Sequence, residues 1–169
     1  MMLTEPSVAY QASYLAALPE WHVEGRYLQQ DPAVLALDFA RFVAELRNFA
    51  DPARVLPGRV PETLLWLVDA DTYIGRLSIR HTLNDWLRDF GGHIGYEVRP
   101  SYRRRGYGSA ILAMALPRAR ALGLRRALVT CDGTNTASRK IIERNGGQFE
   151  DARTEPGRAV PTLRYWIDL

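Results

Sequence analysis

"VRPSYRRRGYGSAIL" occupies residues 98–112, where three consecutive arginines, Arg103, Arg104 and Arg105, precede two glycines spaced by one residue and an apolar run at helical spacing. A helix N-terminus leaves about four N–H groups without partners and carries roughly half a positive charge, so glycines at such a junction let a phosphate approach the donors closely. Arginine adds forked donors that match phosphate oxygens. On these residues alone two readings stand: a seat for a diphosphate, or a solvated basic turn that opens a helix. A P-loop is excluded because no GK[ST] follows, and Gly106-Tyr107-Gly108-Ser109-Ala110-Ile111 lacks the third small residue of a dinucleotide fingerprint.

Upstream, Thr63 to Val68 and Tyr73 to Arg80 are β-rich runs joined by Asp69-Ala70-Asp71, which predicts a hairpin, and His93 to Val98 predicts the next strand. Between them His81 to Gly92 reads as a loop with aromatic and polar residues, suited to a pocket wall. Further back, a short strand near Leu3 precedes a helix capped by Ser7, and Asp31-Pro32 opens a second helix in which Leu35, Phe39, Phe42, Val43 and Leu46 share one face. Downstream, Gly106 to Leu122 is helical with Pro117 inside it, which predicts a bend. Leu124 to Cys131 predicts a strand, Asn135 to Arg144 a helix stopped by Asn145-Gly146-Gly147, and Gln148 to Ala152 and Leu163 to Ile167 two closing strands. The order is that of a mixed α/β layer structure in a single domain, residues 1–169.

Twenty-two basic residues against nineteen acidic ones give a net charge of +3, too small to argue for a nucleic-acid partner despite the local arginine cluster. The lone cysteine, Cys131, allows no internal disulfide and points to a reducing compartment, the cytoplasm. No window approaches the roughly 18 uninterrupted apolar residues of a membrane span. His22 and His81 show no metal-ligand spacing, and no metal is expected.

With R-x-x-G-x-G at Arg103 to Gly108 directly after Val98-Arg99-Pro100, and N-x-x-S at Asn135 to Ser138 followed by Glu143-Arg144-Asn145-Gly146-Gly147, the sequence resembles the GNAT acyl-CoA-dependent N-acetyltransferases, in particular a bacterial branch of that superfamily. The resemblance covers Leu64 to Leu169. It implies a GNAT-like fold, a central mixed sheet of about seven strands flanked by helices, with the fourth and fifth strands splayed. It also implies acetyl-CoA as co-substrate, an amine acceptor that is a small molecule or a protein N-terminus, and a homodimer as a common assembly. The cofactor would meet Arg103, Arg104, Arg105, Gly106, Tyr107, Gly108 and Ser109 with its diphosphate and 3′-phosphate, the backbone of Tyr96 and Val98 with its pantetheine arm, and Asn135 and Ser138 near the thioester. Gly95 fits close approach by a ligand.

Acetyl transfer requires a neutral amine, and an ammonium of pKa about 10.4 must first lose a proton. His93 lies five residues before Val98, roughly 16 Å along a strand and toward the thioester end, at the position where many GNAT relatives carry a basic glutamate. Alternation places His93, Gly95 and Glu97 on one face and Ile94, Tyr96 and Val98 on the other. Glu97 is a second candidate base, with an ion pair to a nearby arginine as its plainer role. The family's usual tyrosine donor to sulfur falls at Ile142, and Ser138 is the replacement that the resemblance offers. A strand N–H would polarise the thioester carbonyl. Cys131 as a thiol nucleophile belongs to a different acyl-transfer chemistry, and a small residue at a strand end reads as packing. Trp21, Tyr27, Trp86 and Trp166 are candidates for an acceptor pocket or for the core. A non-catalytic acyl-CoA sensor, motivated by Ile142, and a nucleic-acid-binding module are the alternatives.

Overall fold

A computed structural model describes residues Met1 to Leu169. Seven strands form one sheet: β1 (Met2–Thr4), β2 (Glu62–Asp69), β3 (Thr72–Arg80), β4 (Ile94–Val98), β5 (Arg126–Asp132), β6 (Gln148–Arg153) and β7 (Thr162–Asp168), in the spatial order β1-β2-β3-β4-β5-β7-β6. All neighbours are antiparallel except β4 and β5, which run parallel and meet at a single bridge, Ile94 with Val129. The expected mixed sheet with parted central strands is therefore present.

Helices α1 (Gln11–Val23), α2 (Pro32–Leu37) and α3 (Phe39–Asn48) precede the hairpin, α4 (Tyr107–Ala121) joins β4 to β5, and α5 (Thr136–Arg144) joins β5 to β6. Alternation in the strands gives the sheet two apolar faces. On one, Leu77, Ile79, Ile94, Val98, Val129, Tyr165 and Ile167 pack with Ile111, Leu112 and Ala115 of α4 and Ile142 of α5. On the other, Leu64, Trp66, Val68 and Tyr73 pack against Tyr14, Leu18 and Trp21 of α1 and Phe39, Val43 and Leu46 of α3. Each such side chain removed from water stabilises the fold by about 1.5–3 kcal/mol before entropy is counted.

The single helix expected from Asp31 onward is two. Asp38 leaves helical geometry (φ −146°, ψ 61°) and its carboxylate accepts from the Arg41 N–H, so a short polar side chain competes with the helix ladder, ends α2 and caps α3. Pro117 does not interrupt α4. It and Ala113, whose carbonyl it cannot satisfy, both lie exposed, where water serves as the partner. The stretch read as a plain loop before β4 contains a π-helical turn, Leu87–Gly91, packed on β5 and β7.

Candidate active site

The β3–β4 ladder directs the backbone polar groups of Ile94, Tyr96 and Val98 toward β5, because Arg99 N–H bonds back to Ile74 and the His93 carbonyl accepts from Arg80. Only Ile94 finds a bridge partner across the gap. Beyond it the strands diverge into a slot, which opens into a cleft of about 710 Å³. Its lining includes Tyr96, Glu97, Val98, Arg103, Arg104, Gly106, Gly108, Ser109, Asn135 and Ser138, together with Arg26 and Lys140.

At the cleft's outer end, Gly106 takes φ +85° and caps α4. A side chain would have open space there, so the left-handed backbone is what calls for glycine. Gly108 has another reason: a Cβ would sit 2.5 Å from Ile141 Cδ1, so glycine lets α4 and α5 close on each other. The consecutive N–H groups of residues 104 to 109 have no protein acceptor, and Arg104 also adopts φ +63°. The result is a concave run of donors at the positive end of a helix, a geometry suited to a diphosphate.

The arginines divide. Arg104 lines the cleft, while Arg105 lies over the Tyr102 ring at 5.3 Å and does not line it. Arg103 lines the cleft with its side chain already engaged: it donates to both carboxylate oxygens of Glu24 (2.5 and 2.8 Å) and to the Val98 carbonyl (3.0 Å). Because α1 ends on a carboxylate that engages Arg103, Arg104 alone of the three arginines expected at the phosphates lines the cleft with an unengaged side chain. Lys140 and Arg144 of α5, not singled out in the sequence, supply positive charge on the opposite wall.

At the inner end, the Tyr96 hydroxyl and Ser138 Oγ lie 3.0 Å apart and bridge β4 to α5. Burial pushes the Tyr96 phenol up to about 12, so it keeps its proton at neutral pH. Asn135 caps α5 by accepting from the Ser138 N–H (2.9 Å), which fixes the serine at the cleft. Ile142 is fully buried among core residues and faces away from the cleft. The tyrosine that the family pattern places there is absent, but Tyr96 brings a phenol to the same cleft from the strand side. Its proximity to Ser138, 42 positions away, carries no local sequence signal.

Glu97 points to the other face, where it pairs with Arg26 and lies 3.5 Å from Arg76 Nε. Burial raises its carboxyl above the usual range, against the pull of Arg26 and Arg103. Around it, Arg103, Trp21, Arg26, Tyr27 and Arg76 alternate as cation and ring, with separations of 5.1 to 5.7 Å. Tyr27 reaches its place between two guanidinium groups from a left-handed backbone, φ 54°.

His93 does not join this group. It is 7% exposed, its Nδ1 accepts from the Leu128 N–H (2.9 Å), and its ring faces Trp166 at a centroid distance of 6.0 Å. A neutral imidazole bonded in this way carries its proton on Nε2, which leaves no lone pair directed at an acceptor amine. Burial, with Arg80 adding to it, lowers its pKa to about 4. Below pH 6.5 the unfolded chain takes up a proton that the folded chain refuses, so stability present at pH 7 is lost as pH falls toward 4. We expect a urea-unfolding loss of about 1–2 kcal/mol between pH 7 and pH 5 from this group. His93→Gln, whose amide oxygen can accept from the same N–H, removes that part of the slope. An unchanged slope in the variant would contradict the assignment.

Cys131 is buried, and burial pushes its thiol up to about 11, so it carries no thiolate at neutral pH. Of the aromatic candidates, Trp21 is core, Tyr27 is half-buried among the arginines, Trp86 is exposed beside a cavity, and Trp166 covers His93 and lines a second cavity with it. No helix is long and apolar enough to cross a membrane.

The sheet is parted at its one parallel pair, with unpartnered helix-terminal amides at one end of the gap and hydroxyls at the other. The family model for the acetyltransferase (GNAT) domain matches residues 14–148, and the chain belongs to that family. No curated protein sequence matches it. Among solved structures, Mycobacterium smegmatis RimJ in complex with CoA-disulfide is similar over 98% of this chain and 80% of its own, with 22% identity and a TM-score of 0.70. The Salmonella typhimurium acetyltransferase that modifies the N-terminal serine of ribosomal protein L7/L12 matches over 99% and 94%, with 15% identity and a TM-score of 0.65. The microcin C7 self-immunity acetyltransferase MccE, in complex with acetyl-CoA and AMP, matches over 99% and 91%, with 15% identity and a TM-score of 0.67. At these identities the likeness is one of fold.

Proposed function

We propose that the chain, as one acetyltransferase domain, transfers an acetyl group from acetyl-CoA to a primary amine by direct attack in a ternary complex. The observation that carries this reading is the slot beyond Ile94 and Val129 leading to unpartnered amides at the start of α4. The solved neighbours RimJ and MccE, described with CoA-disulfide and acetyl-CoA, support the choice of cofactor.

In this reading the N–H groups of residues 104 to 109 hold the diphosphate, and the 3′-phosphate lies against Arg104, Lys140 or Arg144. The pantetheine arm follows the slot-facing backbone of Tyr96 and Val98, and an N–H there polarises the thioester carbonyl as charge develops on its oxygen. The Tyr96 and Ser138 hydroxyl pair donates a proton to the departing sulfur. Glu97, not His93, accepts the amine proton, directly or through a water, because the residue borders the cleft and its raised pKa brings it nearer to the working pH. With a phenol in the cleft, the feature that motivated a non-catalytic sensor loses its force. The free Cys131 fits a reducing compartment such as the cytoplasm.

The test is coenzyme A release from acetyl-CoA across a panel of amines, paired with calorimetry of coenzyme A and its 3′-dephospho analogue. Turnover is expected, with the dephospho compound bound about tenfold or more weakly, the effect of one charge-assisted contact of about 1.5 kcal/mol. Equal affinities would remove the basic side chains from the 3′-phosphate role, and no binding of either would refute the reading.

A further inference from the structure

On the sheet face opposite α4 and α5, Arg80 ends β3 and lays its guanidinium over Gly95 of β4. A Cβ on Gly95 would meet Nη1 and Nη2 at 3.8 Å each, an ordinary contact distance, so the guanidinium lies directly over the bare strand backbone. Nη1 donates to the carbonyls of Gly91 (2.9 Å) and Gly92 (3.0 Å), which ties the π-helical turn to the sheet. The Nε and Nη2 edge makes no hydrogen bond within the protein; the nearest carboxylate oxygen, Glu62 Oε2, stands 4.0 Å from Nε. The Arg80 side chain is only 22% exposed, so this is a partly desolvated cation with one complete donor fork unspent.

Arg80 lines a cavity of about 230 Å³, whose walls include Arg59, Glu62, Asn84, Trp86 and Leu87. Two loops close around it because Asn84 donates to the Gly58 carbonyl (3.0 Å) and accepts from the Leu87 N–H (2.8 Å). The Trp86 ring is 54% exposed although its Nε1 donates to Glu155 (2.9 Å), so the indole is held in place as a wall. Two guanidinium groups face one carboxylate here. Gly95 directly follows Ile94, the last bridged residue before β4 and β5 part, so the cavity lies beside the inner end of the slot, on the face that Glu97 shares.

We propose that this cavity is the acceptor's anion pocket: the acceptor is a small amine bearing an oxyanion, a carboxylate or a phosphate, one short spacer away. The oxyanion docks side-on against Nε and Nη2 of Arg80 with Arg59 at the rim, the spacer lies along Trp86, and the amine crosses the bare backbone of Gly95 to the thioester. The cavity's volume suits the anionic end of a small molecule and is too small for a folded surface. This rests on the acetyl-transfer reading of the slot and adds to it the chemical class of the acceptor.

The test measures initial rates with acetyl-CoA on matched series: straight-chain amino acids of increasing spacer length, their carboxamides, and the corresponding aminoalkyl phosphates. Wild type is expected to prefer the better oxyanion series over the carboxamides by about 100-fold in kcat/KM, since a site built to bond a polar group rejects the analogue lacking it. The better of the carboxylate and phosphate series identifies the anion. Arg80→Lys should erase most of that preference, chiefly through KM, while coenzyme A affinity stays unchanged. Because Arg80 also holds the π-helical turn, Arg59→Glu on the exposed rim provides a second arm; it should cost about tenfold on the oxyanion series and nothing on the carboxamides. Equal rates on charged and uncharged series, turnover confined to uncharged amines or peptide N-termini, or no turnover with coenzyme A still bound would each overturn the pocket assignment. Loss of coenzyme A binding in the wild type would instead overturn the acetyl-transfer reading, and this inference with it.

Discussion

Glu97→Gln is expected to lower kcat by about 10²–10⁴-fold, the usual contribution of a positioned general base, while coenzyme A binds within about twofold of wild type. The substitution keeps the side chain's shape and its capacity to accept from Arg26, so its effect reports on the proton and not on packing. The pH dependence fixes the sign. Turnover needs the carboxylate, burial holds the Glu97 carboxyl above its ordinary range, and activity is therefore lost as pH falls through that raised value. In the variant this acidic limb of kcat/KM should vanish and leave only the titration of the acceptor amine. A variant with full turnover and an unaltered acidic limb would exclude Glu97 as the base. The companion substitution His93→Gln should leave kcat intact, because the imidazole lone pair is committed to the Leu128 N–H.

The second large effect concerns the cofactor. Gly106→Val places a β-branched side chain at φ +85°, where its Cβ meets no atom within 4 Å, so the cost falls on the backbone as strain of about 1–2 kcal/mol. Relief of that strain turns the peptide groups that open α4, and coenzyme A affinity should fall by about 100-fold, the loss of two charge-assisted hydrogen bonds. Gly123→Val is the matched control: it has φ +92°, equally open surroundings and a place just beyond the far end of the same helix. It should lose comparable stability and no affinity. Equal losses of affinity in both variants would mean that the effect is general destabilisation and not the amides of residues 104 to 109.

Several elements could be read directly from the chain because their causes are local. Gly106 and Gly108 marked the start of α4, Asn145-Gly146-Gly147 marked the end of α5, and the hydrophobic periods placed six of the seven strands close to their observed ends, with the first near its place. The slot between β4 and β5 followed from the family resemblance and not from any period in the sequence. What remained illegible is long-range. Glu24 captures Arg103 from 79 positions away, and Tyr96 meets Ser138 across 42. The environment of His93 depends on the Leu128 N–H of a parallel neighbour strand, which no spacing within residues 93–98 can reveal. Asp38 was legible in principle, since a short acidic residue inside a helical period often caps the next helix, but the apolar stripe that continues through Phe39 and Val43 masked the break. Arg80 looked like the last residue of a strand. Only the carbonyls of Gly91 and Gly92 show which edge of its guanidinium is spent.

In the proposed reaction the start of α4 grips a diphosphate and the parted strands hold the attached thioester. A crystal structure of the coenzyme A complex tests it most directly. Diphosphate oxygens are expected at about 2.7–3.2 Å from N–H groups of residues 104 to 109, with the thiol in the slot beside Tyr96 and Ser138. A coenzyme bound elsewhere, or those amides occupied by a side chain while the ligand sits outside the slot, would contradict it.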